Sequence, residues 1–365
     1  MTSVVLAGGG TAGHTSPMLA TAERLAELEP GVSILCVGTA KGLEGRVVPQ
    51  AGLPLRLIPP VPLPRRPTPE LLSVPVRLRG AVRAARDVLE EAGADVVAGF
   101  GGYVSLPVYL AARRIGVPVV IHEQNARPGL ANRVAARFAK VVAVSFPDTP
   151  LPGARFVGLP VRRAVADLDR AAARGQAREL FGLPADGRVL LVSGGSQGAR
   201  SLNEATAEAR EQLLSRGVSV LHVVGPNNVG DGIAPLDDQA SGAAYRPVGY
   251  VDAMEQAYAA ADLMLARSGA GTVMETATVG LPAIFVPLPH GNGEQALNAA
   301  FLVEAGAGVL VRDADLDAQL LVDQVDALLG QPGRLERMEK AARGLVPAQA
   351  AVSLARLVLE AGAGS

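Results

Sequence analysis

Ser268-Gly269-Ala270-Gly271-Thr272-Val273-Met274-Glu275, followed by Gly280-Leu281-Pro282, puts a hydroxyl and a carboxylate about one helical turn apart. The small residues read as a loop that opens a helix. A helix start can hold a pyrophosphate on its free N–H groups and on the positive end of its dipole. A glutamate one turn further can take sugar hydroxyls. Thr-x-x-Glu is also a capping box, which only closes a helix end, and the spacing fits both readings. A second constellation, Gly8-Gly9-Gly10-Thr11-Ala12-Gly13-His14, contains a G-x-G-x-x-G turn. A dinucleotide site would need an acid at the end of the next strand for the ribose hydroxyls. The strand at 33–37 runs instead into Gly38-Thr39-Ala40-Lys41. What remains is a glycine loop that lets another molecule approach the backbone. His14 sits where that loop meets its helix. An imidazole there is biased toward its neutral form, which suits a general base; it can equally cap or pack.

Other loops carry polar groups at strand ends. Gly99-Phe100-Gly101-Gly102-Tyr103-Val104-Ser105 is an ordinary strand-to-helix loop or a turn that leaves room for a ligand. Ile121-His122-Glu123-Gln124-Asn125 sets four hydrogen-bonding residues at a strand's carboxyl end, which points to function. Gly194-Gly195-Ser196-Gln197-Gly198-Ala199-Arg200 offers Ser196 and backbone N–H groups to phosphate oxygens. It lacks the Gly-Lys-Ser/Thr of a Walker A loop. Pro289-His290-Gly291-Asn292-Gly293-Glu294-Gln295 presents polar tips able to reach a sugar. The segment 59–86, from Pro59 to Arg86, sets Arg65, Arg66, Arg77, Arg79, Arg83 and Arg86 among Leu71, Leu72, Val74, Val76, Leu78 and Val82. Such a surface fits anionic lipid, each charge adding about 1 kcal/mol. It equally fits a basic helix packed on its own domain.

The elements that must position these residues alternate. Strands are expected at 4–7, 33–37, 95–99, 117–122 and 141–145, with helices such as 17–28 and 130–139 between them. Continuous apolar strands alternating with helices imply a parallel sheet covered on both faces. The pattern restarts with a strand at 188–192, a helix at 199–215 and strands at 218–224, 262–266, 282–287 and 309–311. Two doubly wound domains in tandem follow, 1–163 and 164–345. The apolar stretch 346–365 is expected to fold back on the first domain. In open α/β sheets ligands sit outside the carboxyl ends of the strands, so two such domains would face each other across a cleft. The 365 residues carry a net charge of −1, one cysteine and four histidines. That balance argues against a nucleic-acid partner, a disulfide framework and a metal cluster. The first residues read as a strand and not as a signal peptide, and no apolar run is long enough to span a bilayer.

Taken together, Gly9-Gly10-Thr11-Ala12-Gly13-His14, Gly99-Phe100-Gly101-Gly102-Tyr103, His122-Glu123-Gln124-Asn125, Gly194-Gly195-Ser196-Gln197-Gly198-Ala199 and Arg267-Ser268-Gly269-Ala270 resemble the MurG family of bacterial peptidoglycan glycosyltransferases (family 28). The resemblance covers residues 4–348 and rests on all five motifs in this order. It implies a GT-B fold of two Rossmann-like domains and inverting transfer of GlcNAc from UDP-GlcNAc to the C4 hydroxyl of MurNAc in lipid I, without metal or cofactor. By resemblance the second domain holds the donor. Ala270, Gly271 and Thr272 would lie against diphosphate or uridine, Glu275 on the ribose, Ser196 on the diphosphate, and Val251 beside the uracil. Glu294 and Gln295 would read GlcNAc hydroxyls. Thr11, Ala12, Gly13 and Asn125 of the first domain would complete the donor site, and Arg162 would supply charge near the phosphates. Tyr103, His122, Glu123 and Gln124 would meet the acceptor, with His14 as base. The family often carries two glutamines where this chain has Glu294-Gln295, and 59–86 has no tryptophan. A peripheral position on the cytoplasmic face of the plasma membrane follows. Another GT-B lipid glycosyltransferase, with diacylglycerol as acceptor, or a non-catalytic sugar-nucleotide-binding subunit are the alternatives.

Overall fold

Val4, Val5, Leu6 and Ala7 are each 0 % exposed in β1 (Ser3–Ala7). A strand without polar alternation needs cover on both faces of its sheet, and the surrounding elements supply it. The computed structural model describes all residues except Lys41, 62–72, 231–232, Gly291, Ala348 and Ser365. The chain divides into two compact units, Met1–Arg162 with Gln349–Ser365, and Arg163–Ala348.

In the first unit β1 leads through α1 (Ala12–Leu28) to β2 (Ser33–Gly38), and α2 (Glu44–Gln50) leads to β3 (Leu55–Leu57). Then α3 (Val74–Glu91), β4 (Val96–Gly99), α4 (Ser105–Ile115), β5 (Val119–Glu123), α5 (Leu130–Ala135), β6 (Val141–Val144) and β7 (Ala154–Phe156) follow. The sheet order is β3-β2-β1-β4-β5-β6-β7, with parallel pairing throughout. The winding reverses between β1 and β4, so the loops after these strands flank the switch point, where open sheets bind ligands.

The second unit opens with α6 (Arg163–Ala166) and α7 (Arg170–Leu180). Its elements are β8 (Arg188–Ser193), α8 (Arg200–Ser215), β9 (Val218–Val223), β10 (Leu236–Asp237), β11 (Ala244–Val248), α9 (Met254–Ala260), β12 (Leu263–Ala266), α10 (Ala270–Val279), β13 (Ala283–Phe285), α11 (Glu294–Glu304), β14 (Gly308–Leu310), α12 (Ala318–Leu329) and α13 (Arg334–Arg343). The order is β10-β11-β9-β8-β12-β13-β14, with only β10 antiparallel. Here the switch lies between β8 and β12. The last helix, α14 (Ala350–Gly362), packs Leu354, Ala355 and Val358 on Met18, Ala22 and Leu25 of α1, covering one face of the first sheet.

Two helices differ from their sequence expectation. α1 starts at Ala12 rather than at residue 17, and Pro17 lies inside it. Proline has no N–H to return to the Gly13 carbonyl, so the first turn, which carries His14, joins the rest of α1 across a missing bond. α5 ends at Ala135 rather than 139, because Phe138 N bonds back three residues to Ala135 O and tightens the last turn. The strands β3, β7, β10 and β11 were not expected; three of them are two or three residues long.

Candidate active site

At the first switch point the glycine turn after β1 meets the turn after β4. Gly102 adopts φ +84°, and a Cβ there would sit on the Gly9 carbonyl oxygen, so only glycine lets the two turns touch. The first turn is held from below by Glu44, which sequence reading did not single out. Its carboxylate is 0 % exposed and accepts from Gly10 N at 2.8 Å, Thr39 N at 2.8 Å and Thr39 Oγ1 at 3.0 Å. A Cβ on Gly9 would overlap Glu44 Oε1. Burial opposes ionisation of Glu44, but the amide bonds from Gly10 and Thr39 outweigh it and hold the carboxyl below its usual range. Thr11, Ala12 and Gly13 lie exposed at the start of α1, and Tyr103 is exposed beyond the second turn.

His14, half-buried, is tied to the end of β5. Its Nδ1 lies 3.1 Å from Gln124 Oε1. Gln124 Nε2 reaches His122 O at 2.9 Å and His122 Nδ1 at 3.2 Å, and His122 Nε2 reaches Gly158 O at 2.9 Å. Burial pushes His122 down to about 4, against the opposing bond to Gly158. Glu123 Oε1 accepts from Asn125 N at 3.0 Å, and its Oε2 accepts from Gly129 N at 3.0 Å and Asn132 Nδ2 at 2.9 Å. Asn132 in turn accepts from the buried hydroxyl of Tyr109 at 2.9 Å. His122, Glu123 and Gln124 are 1–2 % exposed. Direct acceptor contact was expected of these three. They are buried and bonded within the unit, Gln124 to His14 and Glu123 to Asn125 N. Asn125 itself is half-buried, and Arg162 ends the unit exposed.

At the second switch point Gly269 is the N-cap of α10 and makes no side-chain cap bond. Thr272 is therefore already inside the helix, and the capping-box geometry expected of Thr272 and Glu275 is absent: the small residues before Ala270 let the helix start three residues earlier. Glu275 is half-buried, and its Oε2 accepts from Tyr258 OH of α9 at 2.6 Å. Tyr258, 2 % exposed, is a second residue that sequence reading did not single out. Ser268 Oγ donates to Gln295 O at 2.8 Å, and Asn298 Nδ2 to Ser268 O at 3.3 Å, which joins the β12 turn to α11. Gln295 Oε1 accepts from Leu288 N at 3.0 Å, and Glu294 N donates to Asn292 Oδ1 at 3.2 Å. Arg267 clamps the same corner: it donates to Asp313 Oδ1 at 2.5 Å, to Val286 O and Pro287 O at 3.2 Å each, and to Ser201 Oγ at 3.0 Å. Across the switch, α8 begins at Ala199, also without a side-chain cap, and Ser196 is exposed in its approach loop. Elsewhere in this unit Asp169 and Asp317 cap α7 and α12 by accepting from Ala172 N and Leu320 N. Val251 is nearly buried after β11. Ala270, Gly271, Thr272 and Glu275 share one helix start, with Ser196 on the other side of the switch and Gln295 on α11.

The segment 59–86 divides. Val82, Ala85 and Leu89 pack into the core beneath α3, whereas Val76, Arg79, Arg83 and Arg86 are exposed. Arg65, Arg66, Leu71 and Leu72 lie outside the described residues. Among the described residues no helix is long and apolar enough to cross a membrane, and no group of three or more His, Cys, Asp or Glu is placed to hold a metal ion.

The glycosyltransferase family 28 N-terminal domain matches residues 4–144, and the family 28 C-terminal domain matches 189–355. The chain is 58 % identical to the Cutibacterium acnes UDP-N-acetylglucosamine–N-acetylmuramyl-(pentapeptide) pyrophosphoryl-undecaprenol N-acetylglucosamine transferase, covering 99 % of this chain and 98 % of the relative. A Nocardioides protein of the same name is 57 % identical, covering 99 % of both chains. The crystal structure of Acinetobacter baumannii MurG superposes with a TM-score of 0.79 at 29 % identity, covering 99 % of this chain and 100 % of that one. Two Rossmann-like parallel-sheet domains, matched along nearly their whole length, give a GT-B glycosyltransferase: the chain belongs to glycosyltransferase family 28 and, within it, to the MurG group.

Proposed function

We propose that this chain transfers N-acetylglucosamine from UDP-N-acetylglucosamine to the C4 hydroxyl of the N-acetylmuramyl residue of lipid I, with inversion at C1, forming lipid II for peptidoglycan. One observation carries this reading: the chain is 58 % identical, over 99 % of its length, to a transferase of that name. The residues at the two switch points fit the chemistry. The first domain, Met1–Arg162 with α14, handles the acceptor, and Arg163–Ala348 the donor.

His14 Nε2 takes the proton of the C4 hydroxyl as the oxygen attacks C1. The C1–O bond to the diphosphate breaks, and its electron pair leaves with UDP. The leaving diphosphate gains negative charge, which the uncapped starts of α8 and α10, Ser196 and Arg162 stabilise. Ala270, Gly271 and Thr272 lie against the diphosphate or uridine and Val251 beside the uracil, while Glu275 holds the ribose hydroxyls. Glu294 and Gln295 read the GlcNAc. Thr11, Ala12, Gly13 and Asn125 approach the donor from the first domain, and exposed Tyr103 meets the acceptor.

Transfer of labelled GlcNAc from UDP-GlcNAc to a lipid I analogue by purified protein tests the reading. Transfer to diacylglycerol instead, or donor binding with no transfer to either lipid, would replace it. We further propose peripheral attachment to an anionic membrane through Arg79, Arg83 and Arg86, each adding about 1 kcal/mol near the surface. Sedimentation with phosphatidylglycerol vesicles should fall sharply when all three become glutamate; unchanged sedimentation rejects that surface.

A further inference from the structure

If His14 is to act as a base, one of its two ring nitrogens must present a lone pair to the substrate, and the protein must decide which. In water a neutral imidazole exchanges freely between its tautomers. Here a chain of bonds from β5 to α1 removes that freedom, and donor and acceptor logic fixes every link. Gly158 O can only accept, so His122 Nε2, 2.9 Å away, carries the proton. His122 is 1 % exposed, and burial keeps it neutral above about pH 4. Its Nδ1 is then a lone pair. Gln124 Nε2 lies 3.2 Å from that lone pair and 2.9 Å from His122 O, two acceptors that an amide oxygen would repel. The amide therefore has one orientation, with its oxygen toward His14. Gln124 Oε1 lies 3.1 Å from His14 Nδ1, and an amide oxygen accepts. His14 must donate from Nδ1, which leaves the Nε2 lone pair for chemistry.

We infer that Gln124 and His122 are positioning residues that lock His14 in its Nδ1–H tautomer, so that Nε2 is the basic nitrogen. This rests on the reading of His14 as the base. It also explains why His122 and Gln124, at the end of β5, are buried: the strand is the rigid end of the chain, and α1, whose first turn is joined across the missing Pro17 bond, is the end being oriented. Among the described residues no carboxylate is hydrogen-bonded or ion-paired to the His14 imidazole, so the relay is neutral and His14 gains direction without a fixed counter-charge.

Two-bond 1H–15N correlation spectra of the full-length protein test the inference, because only four histidines contribute. A His14→Gln variant identifies the His14 signals by their loss. In the wild type, His14 is expected to show a protonated, pyrrole-type Nδ1 and a pyridine-type Nε2. In Gln124→Leu those two patterns should exchange or average, and kcat should fall at least about tenfold with donor KM unchanged. A wild-type His14 protonated on Nε2, or a tautomer untouched by Gln124→Leu, overturns the inference. The wild-type spectrum decides even if the variant fails to fold. A tautomer that shifts in Gln124→Leu while kcat holds would keep the relay and reject His14 as base.

Discussion

At the β1/β4 switch, Gly10 N–H is already bonded to Glu44 at 2.8 Å. At the β8/β12 switch, α8 and α10 have Ala199 and Gly269 as N-caps, which make no side-chain cap bond, as Thr11 makes none at α1. The two units share a six-strand core order, β3-β2-β1-β4-β5-β6 and β11-β9-β8-β12-β13-β14, and a glycine turn after the first central strand; yet one turn holds its own carboxylate and the other, among the described residues, has none bonded to it. A glycine-rich turn is thus not by itself a phosphate cradle; what matters is whether its N–H groups are spoken for. On the proposed reading the first turn, with an anion already built in, serves an acceptor hydroxyl and a base, and the second keeps its dipole ends for the nucleotide.

The largest break in this comparison comes from His14→Ala. It should lower kcat by about 10²–10⁴-fold, the usual worth of a general base, and leave the affinity for UDP-GlcNAc intact. Near-normal kcat with intact donor binding would move the base elsewhere. Glu275→Ala should do the reverse: donor KM rises by about 10- to 100-fold, the loss of a hydrogen bond to a charged group, while kcat changes little. Thermal stability should fall by no more than the about 1–3 kcal/mol of the orphaned Tyr258 hydroxyl, because Gly269 and not Thr272 is the N-cap of α10. Loss of stability alone, with donor KM unchanged, would reject Glu275 as a ribose ligand.

These two residues were legible because each sits inside a local motif. The turns after β1, β4, β8 and β12, and the strand–helix alternation that places them, could be read from runs of a few residues. Glu44 could not. The G-x-G-x-x-G rule looks for an acid at the end of β2, and the carboxylate that fills the loop comes from the start of α2, 34 residues after its partner Gly10. His122, Glu123 and Gln124 were visible as a polar cluster, but only packing reveals that they point inward. Three-residue strands such as β3 and β7 are too short to show a period, and their pairing to longer neighbours defines them.

Glu44→Gln tests the occupied turn directly. The substitution keeps the shape but turns an acceptor into a donor facing N–H groups, at about 1–3 kcal/mol of stability. The folded carboxyl titrates below its unfolded counterpart. Its contribution is therefore fully present above the unfolded value of about 4.3 and is lost as pH falls through the lower folded value. Urea unfolding should show a wild-type advantage at pH 7 that shrinks below about pH 4. An advantage that does not vary with pH would mean that shape and not charge holds the turn.

The smallest effect sharpens the vacant side. Tyr258 OH donates to Glu275 Oε2 at 2.6 Å from a helix of the same unit. That bond fixes one carboxylate oxygen and so orients the Glu275 side chain that the proposed reading places on the ribose. Removing a single hydroxyl costs about 1 kcal/mol, so Tyr258→Phe should raise donor KM about fivefold and leave kcat unchanged. The ring stays in the core, so stability should change little. The effect should also vanish in a Glu275→Ala background, because the tyrosine then has no carboxylate to orient. If Tyr258→Phe weakened the donor equally in both backgrounds, the hydroxyl would be acting on packing and not through Glu275. The second switch point would then owe its selectivity to the helix ends alone.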